Sequence, residues 1–136
     1  METFDHEKLR VYAAALDFVV LTEELVNTLS PGRSYLRDQL RRAAASVPLN
    51  IAEGAGEFSS SEKARFYRMA RRSATECSAI LEILYRLDMV SSDGFRSARS
   101  ILLQVVAMLV KLAQRHAPSS SVEQNARTGG KGRGTG

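Results

Sequence analysis

The most informative segment of this 136-residue sequence reads Tyr35-Leu-Arg-Asp-Gln-Leu-Arg-Arg-Ala-Ala-Ala-Ser-Val-Pro-Leu-Asn-Ile-Ala-Glu-Gly54. Apolar side chains recur in it at steps of three and four residues, which places them on one side of an α-helix: Leu36, Leu40, Ala44, Val47 and Ile51. A basic stripe adjoins this apolar face and holds Arg37, Arg41 and Arg42. The segment therefore predicts a helix that packs through one face and carries positive charge along its edge.

Pro48 lies inside this predicted helix. Proline has no amide proton and its ring crowds the carbonyl group one turn earlier, so the helix must either kink at Pro48 or restart after it. We expect a structural kink formed by Pro48, Asn50, Glu53 and Gly54, because the apolar spacing continues past the proline. Asn50 and Glu53 are expected to bond freed backbone groups or an arginine of the next helix, with ligand contact as the alternative.

Length and composition predict one soluble domain, since 44% of the residues are apolar and 25% are charged. The longest apolar runs fall far short of the roughly 20 residues that span a bilayer. The first residues lack the basic and apolar regions of a secretory signal, and a lone Cys77 cannot form an internal disulfide. We therefore expect a cytoplasmic protein with no membrane partner.

The helical pattern predicts four helices. The first is expected from near Asp5 to about Leu29, with its buried side formed by Leu9, Tyr12, Ala13, Leu16, Val19, Val20 and Val26. The breaker cluster that follows offers Ser30 or Ser34 as the cap of the second helix. That helix is expected to end at Gly54-Ala-Gly56, where a glycine takes the left-handed conformation.

Ser59-Ser-Ser-Glu62 fits a capping box and starts the third helix. Its apolar positions alternate steps of three and four: Phe66, Ala70, Ser73 or Ala74, Cys77, Ile80 or Leu81, Leu84 and Leu87. Ser91-Ser-Asp-Gly94 breaks this pattern and offers new caps. A fourth helix then runs to about Arg115 and buries Ile101, Leu102, Val105, Val106, Met108, Leu109 and Leu112. We predict an all-α, antiparallel up-and-down four-helix bundle over residues 1–116.

Residues 117–136 have a different composition, with three basic side chains and five glycines among the last ten residues. Such a segment cannot build a core, so we predict a disordered tail. A flexible end without function is favoured over a tail that touches RNA.

The sequence offers no catalytic constellation. His6 and His116 lie near opposite ends, and no spacing of cysteines, histidines or carboxylates is typical of a metal site. Cys77 lies on the apolar stripe of the third helix, where a small buried side chain is the ordinary interpretation. We therefore expect no enzyme activity, no metal and no cofactor.

Basic residues are the positive signal. Between Arg33 and Arg72 there are nine basic and four acidic residues, and arginine greatly outnumbers lysine in the chain. If the second and third helices are neighbours, their arginines form one nucleic-acid-binding surface: Arg37, Arg41, Arg42, Arg65, Arg68, Arg71 and Arg72. The alternative is salt bridging, within or between subunits, to Asp38, Glu53, Glu57 and Glu76.

Two segments resemble the four-helix bundle family of the 23S rRNA intervening-sequence proteins: Ser46-Val-Pro-x-Asn50-Ile-Ala-Glu-Gly54 and Phe66-x-x-x-Ala70-Arg-x-Ser73-x-x-Glu76. The resemblance covers nearly all of residues 5 to 115. Val47 stands where the family usually has isoleucine. Arg72 stands where it usually has glycine, which puts close backbone approach at that turn in doubt.

This resemblance implies an antiparallel four-helix bundle that assembles into a homopentamer, has a basic surface or central channel and has no known catalysis. The family's basic positions match Arg41 or Arg42 and Arg71. Accessory proteins of diversity-generating retroelements are similar in fold, bind nucleic acid and partner a reverse transcriptase.

The combined prediction is a non-enzymatic homo-oligomer that binds the backbone of RNA or DNA. One alternative is a homo-oligomeric scaffold whose arginines make subunit contacts. A narrower alternative is an accessory protein to a reverse transcriptase.

Overall fold

The protein is described by a computed structural model that covers residues 2–29, 32 and 34–117. A short 3-10 turn, Asp5–Lys8, precedes four α-helices: α1 Arg10–Val26, α2 Ser34–Gly56, α3 Ser60–Arg86 and α4 Ser92–Arg115. No strand occurs in these ranges. The predicted all-α, four-helix fold is therefore confirmed, whereas the predicted tail, apart from Ala117, lies outside the described residues.

The helices enclose one core. α1 packs against α2 and α4, and α3 packs against the same two helices, so the α1–α2 pair and the α3–α4 pair form opposite sides of the bundle. The largest side chains that are fully buried come from all four helices: Phe18, Leu40, Ile51, Leu81, Leu84 and Leu109.

The predicted core faces of α2, α3 and α4 are largely correct. All five predicted α2 positions are buried, and α4 buries Leu102, Val105, Leu109 and Leu112 with the other three predicted residues partly buried. α3 buries Ala70, Ala74, Cys77, Ile80, Leu81 and Leu84. Two α3 positions differ, because Tyr67 is buried more deeply than its neighbour Phe66, and Leu87 is 44% exposed.

The predicted face of α1 is wrong in part: Val26 is buried and Leu9, Tyr12 and Val19 pack against the core, but the other three predicted residues do not. The backbone of Leu9 is extended, so α1 starts at Arg10, and it ends at Val26. Its buried residues are Val11, Ala15, Phe18, Thr22 and Val26, while Ala13, Leu16 and Val20 are exposed. α1 is apolar on most of its circumference, so residue spacing could not select the side that packs.

α2 passes through Pro48 without interruption, so the helix does not restart there. The kink itself stays a prediction. The prediction that a left-handed glycine ends α2 is wrong, because neither Gly54 nor Gly56 has a positive φ. Instead, the Glu57 amide donates to the Gly54 carbonyl at 3.2 Å and Lys63 Nζ donates to the Ala55 carbonyl at 2.8 Å. A cation here also suits the negative end of the helix dipole.

Gly54 has a packing role instead. It is buried, and a Cβ atom at this position would lie 2.9 Å from Cε1 of Tyr67 and 3.0 Å from Cβ of Phe66. Only glycine leaves room for α3 to lie this close to the α2 backbone. Close helix approach thus occurs at Gly54, whereas Arg72 is exposed.

The caps of α3 and α4 follow the serines that the sequence singles out. Ser59 Oγ accepts from the Glu62 amide at 3.0 Å, which confirms one of the two bonds of the capping box. The second bond, from the Ser59 amide to the Glu62 carboxylate, is wrong, because that carboxylate accepts from Arg65 at 3.0 Å. Ser91 Oγ accepts from the Gly94 amide at 3.0 Å and confirms the predicted cap of α4.

Candidate nucleic-acid interface

Charge is distributed unevenly between the two sides of the bundle. α3 and α4 together hold ten basic and four acidic side chains, whereas α1 and α2 hold four basic and five acidic ones. The fold therefore places a surplus of six positive charges on the α3–α4 side. A surface of this sign attracts polyanions and raises their local concentration.

Arg68 and Arg71 lie where α3 meets the end of α4. They line a cleft of about 240 Å³ together with Leu109, Val110 and Gln114. Both side chains are exposed, and neither has an acidic partner within 4 Å among the described residues. Their guanidinium groups are therefore available to an anion.

Arg96 and Arg99 are basic residues of the same side that the sequence analysis missed. Both are exposed on α4, and Arg99 lines a small cleft with Ser78 and Glu82 of α3. Neither is in an ion pair with another residue of the described ranges. Their spacing of three residues on the predicted fourth helix was the signal in the sequence that placed them on one face.

Arg37 and Arg41 of α2 contact α1 and the residues that follow it. Arg41 donates from Nε and Nη2 to the Glu23 carboxylate at 2.9 and 3.1 Å, and Arg37 donates from Nη2 to the Leu29 carbonyl at 2.8 Å. Both contacts lie towards α1, away from α3. The structure therefore does not bring Arg37 and Arg41 together with the arginines of α3.

The remaining predicted arginines have three environments. Arg65 donates to Glu62 and lies over the Phe66 ring, 4.6 Å from its centroid. Arg72 lines a groove of about 390 Å³ between α2 and α3. Arg42 is exposed on α2. Arg42 and Arg72 have no acidic partner within 4 Å in the described chain, whereas Arg65 is paired with Glu62.

The residues around Pro48 have ordinary helical contacts. Asn50 Nδ2 donates to the Ser46 carbonyl at 2.8 Å, one turn earlier. Asn50 also lines the groove that contains Arg72, Ser73 and Glu76. Glu53 is exposed beside a separate groove near the 3-10 turn, and it makes no arginine pair within the described residues.

The acidic residues proposed as bridging partners are not used that way inside the described part of the subunit. Asp38, Glu53, Glu57 and Glu76 form no ion pair there, and Glu76 instead accepts from Gln39 Nε2 at 3.3 Å. Bridging between subunits stays a prediction.

Two titratable groups line the end of the bundle near the arginine cleft. Tyr67 and His116 have ring centroids 5.9 Å apart. Burial raises the pKa of Tyr67, although Arg115 opposes this, and burial together with Lys63 and Arg115 lowers the pKa of His116. A neutral His116 adds no charge to this end near pH 7.

Cys77 is fully buried, and burial, aided by Glu76, raises the pKa of its thiol to about 12. A thiol held protonated in this way is a poor nucleophile. Within residues 2–29 and 34–117, no group of three or more histidine, cysteine, aspartate or glutamate side chains is arranged to hold a metal ion. None of the described helices is both long enough and apolar enough to cross a membrane.

Comparison with known proteins identifies relatives by family and by fold. A crystal structure at 1.70 Å of a protein of unknown function from the S23 ribosomal protein family of Bacteroides thetaiotaomicron superposes with a TM-score of 0.71. The two sequences are 21% identical, and the match covers 76% of this chain and 97% of the other, which shows a shared fold. No curated protein matches the sequence significantly.

The family model described as 23S rRNA-intervening sequence protein matches residues 7–111, most of the chain and all of α1, α2 and α3. The chain belongs to the 23S rRNA-intervening sequence protein family.

Proposed function

We propose that the protein binds the phosphate backbone of nucleic acid through its α3–α4 side. The observation that carries this proposal is the surplus of positive charge on α3 and α4, where six exposed arginines lack acidic partners in the described chain. Two of the six line grooves shared with other helices, Arg72 with α2 and Arg115 with α1. We call the other four the α3–α4 basic surface: Arg68, Arg71, Arg96 and Arg99.

The spacing of these arginines suits a repeating polyanion. Arg71 and Val110 line one cleft, and Arg99 lies eleven residues before Val110 on α4, which corresponds to ~16 Å along the helix at 1.5 Å per residue. Arginine binds phosphate through two parallel hydrogen bonds, and each phosphate neutralised releases counterions. Binding is therefore expected to weaken steeply with salt and to show little sequence preference.

The test is binding of a structured RNA and a duplex DNA across a salt series. The informative variant is Arg68→Gln with Arg71→Gln, which removes two charges from the cleft. We expect its affinity at low salt to fall at least about tenfold and its salt slope to decrease by roughly 2.

The matched control is Arg42→Gln with Arg86→Gln, which removes the same charge from exposed positions outside the α3–α4 basic surface. This control is expected to keep most of the affinity. Equal losses in both variants, or no binding by the unmodified protein, would contradict the proposal.

A second candidate function is assembly into a homo-oligomeric scaffold, and three exposed apolar side chains on α1 and α2 favour it. Leu16, Val20 and Leu49 are 41%, 60% and 64% exposed. The Arg41–Glu23 pair aligns α1 with α2, so Leu16 and Val20 lie about one to two turns from that pair, near the level of Leu49. Large exposed apolar groups on neighbouring helices are typical of contact surfaces.

Light scattering tests this assembly. Val20→Glu with Leu49→Glu is expected to lower the molar mass of any assembly, whereas Leu103→Glu, at a position 57% exposed on α4, is not. A monomeric unmodified protein would remove this candidate and leave nucleic-acid binding to be judged alone.

A further inference from the structure

A groove on the α1–α4 side brings together four cationic side chains. It measures about 380 Å³ and is lined by Lys8, Arg10, Lys111 and Arg115. The first two are about 100 residues from the last two in the sequence, so only the fold brings them together. None of the four belongs to the α3–α4 basic surface.

The groove has no acidic residue in its lining. The one ion pair made by its four cations within the described residues joins Lys8 Nζ to Asp5 Oδ1 at 3.8 Å, and both of those side chains are well exposed. Surface pairs of this kind are weak and are easily exchanged. The four positive charges therefore remain largely uncompensated around one opening.

The lining of the groove is otherwise apolar and consists of Leu9, Val11, Met108 and Leu112. Val11 and Leu112 are buried in the core, which gives the apolar part a fixed position. A cationic rim beside an apolar wall suits a ligand that has an anionic group and a planar or apolar body.

The charge of the groove selects among phosphates. A terminal phosphate carries close to two negative charges near pH 7, whereas a phosphodiester carries one. Two arginines offer paired donors that match phosphate oxygens, and two lysines add compact charge. Four cations around one opening therefore favour a terminal phosphate over an internal one.

We propose that this groove, the phosphate groove, binds the terminal phosphate of a nucleotide, with the nucleoside against Leu9, Met108 and Leu112. The ligand is a free nucleotide or the phosphorylated end of a nucleic acid, which share this chemistry. Binding of a free nucleotide does not depend on the function proposed above. Binding of the end of a nucleic acid rests on that proposed function.

Two paired comparisons test the phosphate groove. Calorimetry compares AMP with adenosine, and fluorescence anisotropy compares a short single-stranded RNA with a 5′-phosphate against the same RNA with a 5′-hydroxyl. AMP is expected to bind at least about tenfold more tightly than adenosine. If the RNA with a 5′-phosphate also binds more tightly than the RNA with a 5′-hydroxyl, the RNA end is a ligand. If AMP is preferred over adenosine but the two RNAs bind equally, the ligand is the free nucleotide.

The variant is Arg10→Gln with Arg115→Gln, and the charge-matched control is again Arg42→Gln with Arg86→Gln. The first is expected to abolish the phosphate preference and the second to keep it, with circular dichroism showing that both are folded. A preference for phosphate that survives in the first variant overturns the proposal, and so does equal binding of both ligands in both comparisons.

These readouts separate the two proposals. RNA binding that is lost in Arg68→Gln with Arg71→Gln, without any preference for a terminal phosphate, would support the α3–α4 basic surface and overturn the phosphate groove. Binding of AMP by a protein that binds no RNA would do the reverse.

Discussion

Thr22 is 1% exposed in the core, and its hydroxyl has no hydrogen-bond partner among the described residues. A buried hydroxyl without a partner loses its bonds to water and gains none in return. Thr22→Val keeps the shape and removes the polar atom, so we expect the free energy of unfolding to rise by about 1 kcal/mol.

Urea denaturation measures this change in the free energy of unfolding. Thr75→Val is the control, because Thr75 is exposed on α3 and its hydroxyl donates to the Arg71 carbonyl at 3.0 Å. We expect that control to change the stability by less than about 0.5 kcal/mol. An unchanged stability for Thr22→Val would mean that the Thr22 hydroxyl has a partner in solution.

The raised pKa of the Cys77 thiol predicts that the free energy of unfolding falls at alkaline pH. Burial raises the pKa of its thiol from 9.0 to about 12, so the native state keeps a proton that the unfolded state releases above pH 9. The contribution of the protonated thiol to the free energy of unfolding is therefore complete below pH 9 and is lost as the pH rises towards 12. Between pH 9 and pH 10 the unmodified protein is expected to lose about 1 kcal/mol more than Cys77→Ala.

Urea unfolding of both proteins at each pH gives this difference, since other titrating groups affect both alike. Equal pH dependence in the two proteins would show that the thiol ionises as readily in the native state. The thiol should also react slowly with alkylating agents until the protein is unfolded.

At the scale of the helix pair, Gly54 fixes how closely α2 and α3 approach. Gly54→Ala puts a methyl group 2.9 Å from the Tyr67 ring and 3.0 Å from Cβ of Phe66, so the helices must separate. Overpacking of this kind is expected to lower the free energy of unfolding by about 2 kcal/mol, despite the better helix propensity of alanine.

Gly56→Ala is the matched control, because Gly56 lies in the same helix and a Cβ there meets nothing within 4 Å. This substitution is expected to be neutral or to stabilise by up to about 1 kcal/mol. Thermal unfolding distinguishes the two variants. Similar effects at both positions would mean that helix propensity, rather than close approach, determines the outcome.

The end of α3 depends on a backbone conformation that its residue disfavours. Asp88 has φ 59, the Met89 amide donates to the Leu84 carbonyl at 2.9 Å, and the Asp88 amide donates to the Tyr85 carbonyl at 3.0 Å. Glycine is the preferred residue at such a position. Asp88→Gly is expected to stabilise the protein by about 0.5 kcal/mol in urea denaturation, and Asp88→Ala is not.

At the scale of the whole molecule, the packing of the helices divides the arginines into two groups: those in ion pairs between helices and those exposed to solvent. Arg41 is half-buried and bridges α2 to Glu23 of α1, whereas Arg71 is exposed on the α3–α4 basic surface. Arg41→Gln is expected to lower stability by up to about 1 kcal/mol while keeping the affinity for RNA. Arg71→Gln is expected to keep stability and weaken binding, so paired unfolding and anisotropy measurements separate the two roles. A variant that lost both properties together would contradict this division.

The sequence predicted most of the fold. Most of the apolar residues of α2, α3 and α4 lie on one side of each helix, so packing through that side removes the most apolar surface from water. The serines at Ser59 and Ser91 predicted two helix starts, because their side chains accept from amides within the same turn. α1 lacked this information, since Ala13, Leu16 and Val20 were as suitable for burial as Val11, Ala15 and Phe18.

The sequence by itself determined the helix count, the helix starts at serines, three of the four buried faces and the family of the chain. The helix count, the helix starts and the buried faces depend on residues one turn apart, and the spacing of residues in the sequence gives these directly. The family follows from the residues themselves. Only the tertiary structure decided that Arg37 and Arg41 face α1, that Arg96 and Arg99 share a side with Arg71, and that Lys8 and Arg10 meet Lys111 and Arg115. The physical reason is that the environment of a charged side chain depends on the helices packed beside it, and these are distant in sequence.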